Sequence, residues 1–119
     1  MSRPPTKSGS KQVTRPQTVY VSPYTWGIKY SKAEVLKHHP TGDACGSCDL
    51  ESMTIAVDPG KSEDYARVTL LHEILHAAIR SSDPNIESDA EEMAVASMTG
   101  PLLACLRDNP EVVAYLIAK

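Results

Sequence analysis

Phenylalanine is absent from this 119-residue chain, and aromatic residues make up only 5% of it. A core must therefore be assembled from Leu, Ile, Val, Ala and Met. Acidic residues are absent before Glu34, although Arg3, Lys7, Lys11, Arg15, Lys29 and Lys32 precede it. The formal net charge of −3 is thus unevenly distributed. No apolar run reaches the ~18 residues that a membrane-spanning helix requires, and the N-terminus has no signal-peptide apolar stretch. These absences lead us to expect a soluble, cytoplasmic protein with no membrane partner. Three cysteines, an odd number, argue against a disulfide scaffold. The length suits one domain.

Residues 1–17 are rich in Pro, Ser, Thr and Lys and nearly devoid of apolar side chains. Such a segment cannot bury enough surface to offset its ordering entropy, so it reads as a disordered basic arm. A basic arm can touch nucleic acid or an acidic partner, although a solvated tail is the plainer reading. Residues 18–119 form the expected domain. Thr18 to Val21 and Trp26 to Tyr30 have the β-branched and aromatic content of short strands. Ser31 to His38 suits one or two helical turns, and His39 to Asp49 reads as a loop punctuated by Pro40, Gly42 and Gly46. Met53 to Val57 is expected as a strand, ended by Asp58-Pro59-Gly60.

Ser62 is a good N-cap, followed by Glu63 and Asp64 in the first turn. Ala66, Leu70, Leu71, Ile74, Leu75 and Ala78 then recur at helical spacing, predicting a helix to about Ile79 or Arg80. Ser88 with Glu91 fits a capping box for a second helix, from about Asp89 to Thr99, with Gly100-Pro101 as a kink or restart. Its buried stripe is expected to be Val95, Met98, Thr99, Leu102 and Leu103, with Cys105 in the core. Asn109 and Pro110 predict the cap and first residue of a last short helix reaching Ala118.

Within the first helix stands His72-Glu73-Ile74-Leu75-His76. Residues four apart share a helix face about 6 Å apart along the axis, so two imidazoles can reach one ion. Glu73 follows the first His and can reach a water at the ion without being a ligand. This H-E-x-x-H spacing supplies two zinc ligands and a general base. A catalytic zinc takes three protein ligands and keeps one position for water. No histidine follows His76, so the third ligand must be a carboxylate: Asp83, Glu87, Asp89, Glu91 or Glu92. Glu91 has a capping role open to it. Glu92 stands at the polar end of the apolar stripe and is the favoured ligand, with Glu91 the alternative. Arg80, four residues after His76, is placed to steady a ligand carboxylate.

For stabilising an oxyanion, His38, His39, Tyr65 and Arg80 qualify by residue type, although Tyr65 lies two turns before His72. Cys45 and Cys48 have C-x-x-C spacing but lack the second pair that a structural zinc requires. Redox chemistry would want the pair at a helix N-terminus, which this loop is not.

Thr69-Leu70-Leu71-His72-Glu73-Ile74-Leu75-His76-Ala77 resembles the active-site helix of gluzincin-type metallopeptidases. Nearest in pattern are the ImmA/IrrE-type metallopeptidases and similar small phage-encoded proteins. The third ligand of that family is a Glu in the frame Glu-x-x-Ala-x-x-Phe-Ala-x-x-Leu-Leu. Glu92 begins a matching frame with Val95, Met98, Thr99, Leu102 and Leu103, three side chains being substituted. The likeness covers roughly residues 50–110. It lacks an attached DNA-binding helix-turn-helix, and Cys45-Gly46-Ser47-Cys48 is foreign to it. The resemblance implies an α+β, minimal zincin-like domain: a small sheet on the H-E-x-x-H helix, a Glu-bearing helix behind, and a short C-terminal helix. It implies Zn2+ as cofactor, a peptide or protein as substrate, and a bacterial or phage-infected cytoplasm. An edge strand of such folds pairs with extended substrate, and Met53 to Val57 is the expected neighbourhood. The expected function is zinc-dependent peptide hydrolysis with Glu73 as base. The competing expectation is a non-catalytic, zinc-stabilised binding or regulatory protein.

Overall fold

The computed structural model describes residues 13–39 and 44–119. The chain is an α+β domain. Its elements are β1 (Thr18–Val21), β2 (Tyr24–Tyr30), α1 (Lys32–Leu36), β3 (Gly46–Asp49), β4 (Thr54–Val57), α2 (Glu63–Ser82), α3 (Ser88–Asp108) and α4 (Pro110–Ile117). The sheet order is β1-β2-β4-β3. β1 and β2 form an antiparallel hairpin, with Val19 opposite Trp26. β2 and β4 are parallel, with Ile28 opposite Ile55. That pairing requires a crossover, which α1 and β3 supply. β3 returns antiparallel to β4, with Cys48 opposite Ile55. Among the described residues, no helix is long and apolar enough to cross a membrane.

Strand alternation sorts the side chains. Trp26, Ile28, Ile55 and Val57 point to one face and meet Ala66 and Ala77 of α2, forming the main core without any phenylalanine. Burying each of the larger side chains stabilises the fold by about 1.5–3 kcal/mol. The opposite face receives α1 through Val35, which is fully buried, beside Ala56. Ser62 caps α2 as the sequence predicts, its Oγ accepting from the Tyr65 N–H at 3.1 Å. Both acids of the first turn find partners: Arg15 pairs with Glu63, and Arg107 with Asp64 at 2.8 Å.

Several expectations need correction. Gly46–Asp49, read as loop, is a strand at the sheet edge, and the strand at Thr54–Val57 lies inside the sheet. Residues 13–17, assigned to the disordered arm, are held: Tyr30 donates to the Pro16 carbonyl at 2.7 Å, and Ile28 N–H to the Gln17 carbonyl at 2.8 Å. The rest of the arm lies outside the described residues. Helix α3 starts a residue early, with Glu87 as its N-cap accepting from Asp89 and Ala90 N–H; Ser88 and Glu91 form no capping box. It then passes through Gly100-Pro101 unbroken, and both residues sit on its exposed side, where the carbonyl left without a partner is open to solvent. Met98 and Cys105 are exposed, since the buried line of α3 runs through Glu91, Val95 and Thr99. Asn109 makes no capping hydrogen bond; its Nδ2 donates back to the Cys105 carbonyl at 2.8 Å.

Candidate metal centre

Helices α2 and α3 pack against each other, and α2 also packs against β3. A cleft of about 450 Å³ opens between β3 and α2, with His72, Glu73, His76, Arg80 and Glu92 in its wall. One helical turn places His72 and His76 on the same side of α2, with ring centroids 4.9 Å apart. Glu92 reaches across from α3. Its Oε1 is 3.5 Å from His72 Nε2, its Oε2 is 3.1 Å from His76 Nε2, and the two Nε2 atoms are 3.2 Å apart. Ligand atoms held about 2.05 Å from a tetrahedral zinc stand ~3.3 Å from one another. The two imidazole nitrogens stand close to that distance, and the Glu92 carboxylate faces them with a different oxygen toward each. Among the described residues, these three make the one His/Cys/Asp/Glu cluster with ion-holding spacing.

Glu91, the alternative ligand, has a different place. It is buried, and its Oε2 lies 2.5 Å from Nδ1 of His76 and accepts from Arg80 Nε at 2.8 Å. A carboxylate on Nδ1 holds the proton there and leaves the lone pair of Nε2 facing Glu92 and His72. Two acceptors would then converge at 3.1 Å, an arrangement that a cation between them resolves. Arg80 extends the network to the sheet, donating through Nη1 to the Cys48 carbonyl at 2.8 Å. Arg80 thus does steady a carboxylate, but the one behind His76. Burial, and then His76, lower the pKa of His72 against the opposing pull of Glu92. Its neutral, ligating form is favoured.

Glu73 is 6% exposed. Burial, reinforced by Glu92 and Glu91 against the pull of Arg80, pushes its carboxyl up to about 8. Tyr65 and His39 also line the cleft. The Tyr65 hydroxyl accepts from the Cys45 thiol at 3.4 Å, so a residue two turns from His72 reaches the same space through the width of the cleft. His38 faces away, 3.6 Å from Asp49. Cys45 and Cys48 join no metal-type cluster among the described residues. Burial pushes the Cys48 thiol up to about 12, far from the thiolate that redox or metal chemistry needs. The role of β3 escaped the sequence, because Gly-Ser-Cys-Asp carries none of the β-branched residues that mark a strand. Comparison of the chain with protein-family models, with curated proteins and with solved structures gave no match.

Proposed function

We propose that this chain is a small zinc-dependent peptidase, with His72, His76 and Glu92 as ligands and Glu73 as general base. The observation that carries the reading is one carboxylate facing two imidazole nitrogens, with ligand atoms of all three residues within 4.8 Å of one another, beside a buried glutamate in an open cleft. The donor set of two imidazoles and a carboxylate suits zinc, and a carboxylate behind one imidazole is the usual support for such a ligand. When bound, zinc supplies Lewis acidity and lowers the pKa of the water it holds. Glu73 would take a proton from a water in the cleft onto a carboxylate oxygen as the water oxygen bonds to the peptide carbonyl carbon, and would return it to the amine nitrogen as the C–N bond breaks.

The substrate class is a peptide in extended form. Arg80 donates to the Cys48 carbonyl, and Asp58 N–H donates to the Cys45 carbonyl at 2.8 Å. Strand alternation then turns the Gly46 and Cys48 backbone groups away from β4, toward the outer edge beside the cleft. The nucleic-acid expectation rests largely on residues 1–12, outside the described residues; Arg15 is engaged with Glu63.

The test is zinc content and hydrolysis of an unfolded protein such as casein. One zinc per chain and proteolysis are expected, with Glu73→Gln keeping the metal and losing at least about a hundredfold in rate. Proteolysis that survives Glu73→Gln refutes the mechanism. Tight zinc without any hydrolysis supports the second reading, a zinc-stapled binding protein.

A further inference from the structure

Gly46 begins β3 where that strand passes closest to α2, and it is buried. A Cβ built on it would stand 2.6 Å from Thr69 Cγ2, 2.8 Å from Glu73 Oε2 and 3.1 Å from Glu73 Cγ. Carbon atoms do not approach so closely without displacement. Of the other described glycines, Gly27 and Gly100 have nothing within 4 Å, and Gly60 meets a turn aspartate at 3.2 Å. Gly46 lies in a strand, whose backbone any residue adopts. What the position demands is space, and the space is filled by the Thr69 methyl group and the Glu73 side chain together.

We propose that Gly46 is a positioning residue for Glu73, its bare α-carbon forming the slot that holds the carboxylate at the cleft. The proposal rests on the reading of Glu73 as the base at a zinc site. Glu73 has little alternative room: it is buried, and its neighbours one turn away on α2, Thr69 and Ala77, are buried too. A methyl group in the slot therefore turns the carboxylate away from the cleft. Thr69 presses on the same slot through its methyl group alone, since its Oγ1 is tied to the Tyr65 carbonyl at 2.9 Å. Packing strain and carboxylate displacement can thus be separated by removing that methyl.

The experiment uses the zinc-loaded full chain and acetohydroxamate, a zinc chelator that also hydrogen-bonds to a carboxylate beside the metal. Affinities are read by calorimetry. Gly46→Ala and Glu73→Gln should each weaken acetohydroxamate by about tenfold, the loss of one hydrogen bond to a charged group. The two changes together should be no worse than either alone, because both act on one contact. Thr69→Ser added to Gly46→Ala should restore thermal stability but not acetohydroxamate affinity, and it carries the comparison if Gly46→Ala alone folds poorly. Zinc affinity should hold throughout, as Gly46 touches none of the three donors. The proposal is overturned if Gly46→Ala binds like the parent, if the losses add, if Thr69→Ser restores the affinity, or if that doubled variant loses zinc. A parent chain that takes up no zinc, or binds zinc but no acetohydroxamate, overturns the site reading itself, and this inference falls with it.

Discussion

Nδ1 of His76 and Oε2 of Glu91 lie 2.5 Å apart, and neither side chain is more than 8% exposed. The contact fixes the ring of His76 from behind, and Arg80 fixes Glu91 in turn. Neither Glu91 nor Arg80 belongs to the cluster of His72, His76 and Glu92. Glu91→Gln and Arg80→Met should each weaken zinc by about 10–100-fold while the saturating stoichiometry stays at one. His72→Ala and His76→Ala should abolish tight binding. Competition against a chromogenic chelator measures both, and a Glu91→Gln chain that binds zinc like the parent would remove the supporting role.

The two adjacent glutamates should also separate in the metal-free chain. The Glu92 side chain is 60% exposed, so Glu92→Ala should change unfolding free energy by no more than about 0.5 kcal/mol. Glu91→Ala leaves His76 and Arg80 without their buried acceptor and should cost about 3–5 kcal/mol. Urea unfolding in the presence of a strong chelator compares them. Equal costs would contradict the division into ligand and support.

Glu73 links stability to pH when no metal is bound. Its folded-state pKa is raised from 4.5 to about 8, chiefly by burial. The folded chain keeps a proton that the unfolded chain releases, so this stabilising contribution is complete below 4.5. It is lost as pH rises toward 8, with a slope of at most about 1.4 kcal/mol per pH unit. Glu73→Gln should flatten the profile and raise stability at pH 8 more than at pH 5. Parallel profiles for parent and variant in a pH series of denaturant melts would refute it.

Thiol labelling should rank the cysteines. Cys105 is exposed, whereas the Cys48 thiol is raised to about 12 by burial. Iodoacetamide at pH 8 should alkylate Cys105 readily and spare Cys48 until the chain unfolds. Mass mapping of a time course decides it, and early Cys48 labelling would show that β3 is not held as described.

The α2 helix and its two histidines were legible because everything that specifies them is local: the Ser62 cap, the apolar spacing and the four-residue interval. Glu92 stands in the cluster, but not for the reason that favours it in the sequence. The buried line of α3 runs through Glu91, Val95 and Thr99, so the residue in line with the stripe is Glu91. Glu92 sits beside that line and leans across to α2. The contact between Glu91 and His76 spans 15 residues of sequence and two helices, and no local pattern encodes it. β3 was hidden for the same reason. Its four residues have poor strand propensity and become a strand because β4 offers a ladder and α2 leaves a slot for Gly46. Met98 and Cys105 read as core because their apolar character was taken for burial, whereas apolar side chains are common on surfaces.

β3 has a hydrogen-bonded neighbour on one side only, and it is four residues long. Opening it breaks few backbone bonds and leaves the β1-β2-β4 ladder and its tryptophan undisturbed. Local unfolding free energy is therefore lower in the strand that borders Glu73 than in the central strands β2 and β4. Amide protons at Ser47 and Asp49 should exchange with solvent well before those at Ile28 and Ile55. The cleft thus joins an edge strand, easily opened, to a long histidine-bearing helix that can keep its shape while the strand wall parts.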